Sequence, residues 1–126
     1  MKNAVFIYSP DQLGYKFSDS HPFNHKRLLL TIDLLKNIGA LSDDDIVPAR
    51  IATDEEIALA HDPQYIEIVK KAGHGELTSQ QGEAYGIGTE DTPMFANMHE
   101  ASALLVGGTL QAVDYVLEGK SLHALN

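Results

Sequence analysis

Six histidines, His21, His25, His61, His74, His99 and His123, are the side chains best suited to metal or proton-transfer chemistry in this chain. A helical metal site of the H-E-x-x-H kind puts two imidazoles on one helix face, with a carboxylate between them to handle a proton. His21 and His25 have the separation but no such carboxylate, and no second histidine follows His99-Glu100 at the motif's spacing. The histidines are therefore expected at the surface or at caps, with no metal site built within the chain. Gly86-Ile87-Gly88 resembles half of a phosphate loop, but no Gly or Lys follows it, and Glu90 and Asp91 would repel phosphate. Asp91 lies between this glycine loop and Pro93, ahead of a helical pattern. It can accept hydrogen bonds from helix N-terminal amides, or point outward and take the backbone amides of an extended ligand. Arg27 stays charged, so it needs either an acceptor or solvent. No Ser/His/Asp or Cys/His constellation is legible.

The elements that must carry these residues follow from apolar spacing. Val5–Tyr8 is a short apolar, β-rich run and predicts a buried strand. Ser9–Pro22 is polar, with Gly14 and two prolines, and predicts a loop. His25–Ile38 predicts a helix with Leu28, Ile32, Leu35 and Ile38 on one stripe and Gly39 as its C-terminal cap. Ile46-Val47-Pro48 predicts a brief extended segment, with Pro48 favouring an edge. Thr53-Asp54-Glu55-Glu56 is a capping box that opens a short helix, and Asp62-Pro63 starts another that runs to Gly73. Gly73–Gly88 predicts an exposed loop. Phe95–Leu117 predicts a long helix with Met98, Leu105, Ala112 and Val116 on one face. Gly107 and Gly108 in its middle each cost about 1 kcal/mol against alanine. Such a pair makes sense where another backbone comes very close. Gly119 caps that helix, and Leu122 and Ala124 begin a strand.

At 126 residues the chain is one domain or a piece of one. It has no cysteine, hence no disulfide and no thiolate metal site, and a cytoplasmic address fits best. No apolar run approaches the roughly 18 residues of a membrane span. The net charge of −9 argues against a nucleic-acid face, which needs clustered Lys and Arg. No Lys or Arg occurs from Ala72 to Gly119, while seven acids do. That is either a solvated acidic face or a field favouring a cationic partner, such as a lysine side chain or a polyamine.

Three blocks taken together resemble the acetoin-utilisation and class I histone deacetylase family. They are His21-Pro-Phe-Asn-His-Lys-Arg27, then Asp54-Glu-Glu56 to His61 with Asp62-Pro-Gln-Tyr65, then Tyr85-Gly-Ile-Gly88-Thr-Glu-Asp91-Thr-Pro93 with Gly107-Gly108-Thr109. Their order and spacing carry the resemblance, which covers nearly the whole chain and favours the acetoin-utilisation branch. It implies an α/β fold: the N-terminal portion of the three-layer arginase/deacetylase architecture, with a central, mostly parallel sheet, as part of a single domain over residues 1–126. It implies hydrolysis of an acetyl-lysine amide on a protein substrate such as a metabolic enzyme. The zinc that serves that chemistry is expected to be held beyond Asn126, as are the catalytic histidines and tyrosine. Two positions carry over: Asp91 as the rim aspartate that binds the substrate backbone, and Arg27 as the arginine of the internal cavity linked to acetate release. Tyr8 and Phe6 match aromatic residues near that cavity. Thr92 stands where eukaryotic members have cysteine, an extra residue lies between Gly88 and Glu90, and Asn24 replaces a lysine used for an inositol phosphate, so that regulation is not expected. The alternatives are a non-catalytic acidic helical binding module and an acetylpolyamine amidohydrolase.

In a parallel α/β fold the first strand lies beside strands that come later in the chain. Expressed alone, the 126-residue chain is expected to be weakly stable or to self-associate through bare edges and helix faces. Urea titration followed by circular dichroism checks this; a monomer with a sharp cooperative transition is the contrary result.

Overall fold

The computed structural model describes residues 1–126. Strand β1, Lys2–Ile7, is central in a three-stranded sheet of order β2-β1-β3, with β2 at Ile46–Val47 and β3 at Ser121–Leu125. Both pairings are parallel, with Phe6 opposite Ile46 and Leu125, and Lys2 opposite Ser121. β1 starts three residues earlier than its apolar run predicts and stops before Tyr8. Lys2, Asn3 and Ala4 are exposed, and they join the strand through backbone pairing to β3, which no local pattern reports.

Side chains alternate along β1. Phe6 packs with Ile32 of helix α1, Lys26–Asn37, and with Leu41, flanked by Tyr8, Leu28, Leu35 and Ile46. Val5 and Ile7 face the other way and are 3% and 1% exposed. Their burial requires a helix on that face, and α5, Met98–Leu117, lies along β1 and β3. In the chain between α1 and α5 come α2 (Asp54–Ile57), α3 (Pro63–Gly73) and α4 (Ser79–Glu83), with α3 packed on α5. The sequence signals for caps hold in detail. Thr53 accepts the Glu56 amide, Asp62 accepts the Gln64 amide with Pro63 at the first helical position, and Gly39 and Gly119 take positive φ after α1 and α5. After α1, the Ala40 and Gly39 amides donate to the carbonyls of Leu35 and Lys36, which closes the end in a Schellman motif.

Four local expectations need correction. The Ser9–Pro22 loop contains a 3-10 turn at Pro10–Gly14. The Gly73–Gly88 loop contains α4, opened by a Thr78/Gln81 capping box that glycine-rich composition obscures. α5 begins at Met98 rather than Phe95 because Asn97 is left-handed, with φ of 57°. The apolar stripes are also displaced. Ile38 is 66% exposed and Val116 42%, and the buried seam of α5 is Ala101, Ala103, Leu104, Gly107 and Gly108. Small residues form that seam because it is where other backbone presses closest.

At Gly107 the segment after β2 crosses the helix. A Cβ there would overlap the Arg50 carbonyl and lie 2.6 Å from the Ala52 nitrogen. The Ala52 amide donates to the Ala103 carbonyl at 2.9 Å, tying the crossing strand of chain to the helix backbone. Gly108 faces the Asn126 side chain instead. Gly107→Ala gains helix propensity yet forces two backbones apart. It is expected to lower stability by about 1–3 kcal/mol net. Gly108→Ala, which meets the Asn126 side chain rather than backbone, is expected to cost less, through displacement of that amide from its hydrogen bonds. Paired urea unfolding curves check the order.

Candidate functional site

The rim is built by two loops that face each other. Gly14–Phe23 supplies one wall and Glu90–Ala96 the other, around a groove of about 1080 Å3 that includes Asp91. Asp91 is exposed and does not cap α5, which starts seven residues later. Its loop is closed by internal bonds. Gly86 and Gly88 turn with φ of 72° and 84°, which L-residues with side chains rarely adopt. The Gly88 amide donates to the Thr92 carbonyl at 2.8 Å, and the Thr92 hydroxyl donates to the Gly86 carbonyl at 2.8 Å. The Thr92 amide donates to the Thr89 hydroxyl at 3.0 Å. Asp91 takes no part in these bonds, so its carboxylate is presented to the groove by a loop that holds its own shape.

Beneath the rim lies an aromatic cluster. Phe95 meets Tyr15 and Phe17 edge-on, with centroids at 5.2 and 5.6 Å, and Phe23 lies 5.8 Å from Tyr15 and 5.7 Å from Phe17. Phe23 is also the partition to a second cavity of about 420 Å3 at the C-terminal ends of β1 and β3. Phe6, Tyr8 and Arg27 all line that cavity, so residues drawn from β1 and α1 converge there. Arg27 meets no carboxylate. Its guanidinium stacks over the Phe23 ring, 4.0 Å from the centroid, which satisfies part of its charge with the ring's electron-rich face. Asp91 does not join these three; it belongs to the outer groove.

Sequence reasoning passed over Gln12 and Asn126. Gln12 is 5% exposed and lines the inner cavity with Asn126. Its side-chain oxygen accepts the Ser9 amide at 3.0 Å and its nitrogen donates to Asn126 Oδ1 at 2.8 Å. Asn126 in turn donates to the Leu105 carbonyl at 3.0 Å and to Thr109 at 3.1 Å. The Ser9-Pro-x-Gln12 spacing was the available signal. Nothing local could show that Asn126 completes the network.

A third, mostly apolar cavity of about 570 Å3 lies among α2, α3, α5 and the Gly86–Phe95 loop. Ion pairs fix its surroundings. Asp54 accepts from Lys70 and lies 3.3 Å from His99, whose side chain is only 12% exposed. The Lys70 bond holds the Asp54 carboxyl below its usual range. Arg50 grips both Glu56 oxygens, at 2.9 and 2.8 Å. That guanidinium, followed by the Thr53 amide, brings Glu56 down to about 2. No group of three or more His, Asp or Glu side chains is arranged to hold a metal ion.

The pattern of the histone deacetylase domain matches residues 21–126. The chain belongs to the histone deacetylase family. It is 57% identical over all 126 residues to the acetoin utilization protein AcuC of Bacillus subtilis (strain 168), and covers 33% of that protein. It is 42% identical over 123 residues to the AcuC of Staphylococcus aureus (strain MRSA252), covering 98% of this chain and 32% of that one. Among solved structures, a histone deacetylase homologue from Aquifex aeolicus superposes with a TM-score of 0.82 at 25% identity over 98% of this chain and 32% of that one. A homologue complexed with SAHA superposes at 0.83, with the same identity and coverage. The parallel sheet with its helices is therefore the arginase/deacetylase architecture that the family resemblance implies. The chain spans about a third of the length of the curated relatives it matches. No helix is long and apolar enough to cross a membrane.

The Arg50–Glu56 pair yields a pH prediction. Glu56 has a folded value of about 2 against an ordinary 4.5, so its stabilising contribution is complete above 4.5 and is lost as pH falls through 2. Glu56→Gln is expected to destabilise the protein above pH 4.5, with the gap from the native sequence narrowing steadily between 4.5 and 2. Urea midpoints measured across that range read it directly.

Proposed function

We propose that this chain is the N-terminal portion of a zinc-dependent deacetylase of the acetoin-utilisation type, whose full-length form hydrolyses acetyl-lysine amides to lysine and acetate. The observation that carries this reading is the convergence of Phe6, Tyr8 and Arg27 on an inner cavity, separated by Phe23 from an outer groove that holds Asp91. A hydrolase that releases a small acid needs both a place to grip the substrate's main chain and a compartment for the leaving fragment. Asp91 suits the first role: an exposed carboxylate on a rigid loop can accept two peptide N–H groups in charge-assisted bonds. Arg27 suits the second, a fixed positive charge beside a cavity with ample room for a small carboxylate. The acidic stretch from Ala72 to Gly119 favours cationic, lysine-bearing substrates over anionic ones.

The His, Asp and Glu side chains of this chain do not fit a zinc ion. In this reading the metal and the proton-transferring histidines belong to the two thirds of the relatives' length that this chain does not span. When bound, zinc supplies polarisation of the acetyl carbonyl and activation of water. The contribution of residues 1–126 is to bind and orient: rim, aromatic wall and inner cavity. A cytoplasmic protein substrate, such as a metabolic enzyme, completes the proposal.

The full-length protein is expected to release acetate from an acetyl-lysine peptide. Asp91→Ala is expected to lower kcat/KM by about 10- to 100-fold, the worth of hydrogen bonds to a charged group. Arg27→Ala is expected to lower kcat and KM together with kcat/KM little changed, the signature of slowed release of the acid product. Cleavage of acetylputrescine with the peptide left intact would move the assignment to an acetylpolyamine hydrolase. Cleavage of neither would favour a binding module.

A further inference from the structure

His21 joins the two walls of the outer groove, and its bonding leaves one protonation pattern open. The Phe23 amide donates to His21 Nδ1 at 3.0 Å, so Nδ1 carries no hydrogen. His21 Nε2 lies 3.1 Å from the Glu90 carbonyl, which can only accept, so Nε2 carries the hydrogen. The ring is then the neutral Nε2–H tautomer, braced edge-on by Phe17 with centroids 4.6 Å apart. The two bonds do different things. The bond to Nδ1 is local, a turn across Pro22 whose ring fixes the backbone. The bond from Nε2 spans 69 residues and ends on the residue that precedes Asp91. The loop around Thr92 is closed upon itself, but those internal bonds fix its shape and not where its tip stands over the groove.

We propose that His21 is a positioning residue: its Nε2–H tethers the Glu90 carbonyl and so sets where Asp91 meets the substrate backbone. This rests on the reading of Asp91 as the rim carboxylate. Two substitutions separate the bonds. Asparagine places an oxygen near Nδ1 and keeps the local turn but cannot reach Glu90. Glutamine extends an amide N–H toward the position of Nε2.

The test uses the full-length protein. With 15N-labelled histidine, long-range correlation spectra are expected to show His21 as Nε2–H. His21→Asn is expected to speed amide exchange in Glu90–Thr92 and to raise KM for an acetyl-lysine peptide about 3- to 10-fold, the size of one neutral hydrogen bond, with kcat within about twofold. His21→Gln is expected to recover much of the lost KM. An Nδ1–H tautomer, unchanged exchange at Glu90–Thr92 in His21→Asn, or a fall in kcat with KM unmoved would each overturn the tether. A native protein that cleaves no acetyl-lysine peptide would instead defeat the functional reading. The tautomer and the exchange rates would then decide the tether alone, keeping it if both follow expectation and removing it if either does not.

Discussion

The close approach of α5 to the chain around Arg50–Ala52 is the constraint on which the rest of the structure depends. Two glycines in mid-helix sacrifice helix propensity and place no side chain in the core. Gly107 permits contact between main chains, with the Arg50 carbonyl and Ala52 amide where a methyl group would stand, and Gly108 makes room for the Asn126 side chain. The Ala52 amide donates to the Ala103 carbonyl, the Arg50 amide donates to Gln111 Oε1, and Gln111 Nε2 donates to the Pro48 carbonyl, all directly between segment and helix. With α5 seated this deeply, β3 is delivered beside β1 in parallel register, and Asn126 reaches Gln12 and Thr109. The inner cavity is the space left at the ends of these strands.

The surfaces of the molecule are of two kinds. The rim loops and the aromatic wall are internally braced, with the Gly86–Thr92 loop bonded to itself and the rings packed edge to face, and Gln12 and Asn126 are paired in the cavity wall. Elsewhere large apolar groups are bare: Leu30, Leu34 and Ile38 are 60–69% exposed along one face of α1, and Leu122 and Leu125 are 53% and 57% exposed on β3. β3 pairs on one edge only. Aligned leucines at this exposure are costly in water unless something covers them. Their position bears on the proposal that these residues form part of a larger deacetylase domain, since the matched relatives are about three times as long.

Within the rim, shape and position are controlled separately. Threonine hydroxyls and two left-handed glycines decide the curvature of the Gly86–Thr92 loop. The imidazole of His21 and the packing of Phe95 on Tyr15 and Phe17 decide how that loop stands against the opposite wall. Thr92 belongs to the first group, which gives a structural use to the hydroxyl at a position where eukaryotic relatives are expected to carry cysteine.

What the sequence determined by itself was mostly local chemistry. Capping boxes, Asp62-Pro63 and the glycines after α1 and α5 marked helix ends because their signals act over three or four residues. The Gly107-Gly108 pair signalled a close approach, since two mid-helix glycines forgo helix propensity, and Gly107 meets the backbone of Arg50 and Ala52. The order of three motif blocks supplied the family. Tertiary structure alone decided which faces are buried. Ile38 and Val116 satisfy helical periodicity yet remain exposed, since periodicity defines a stripe and not the neighbour that covers it. It also decided that Lys2–Ala4 extend β1 and that Gln12 and Asn126 meet in the wall of the inner cavity. The bond from His21 to Glu90, 69 residues apart, was likewise its to decide. Each depends on register and packing between distant segments, and these carry no imprint in the residues nearby.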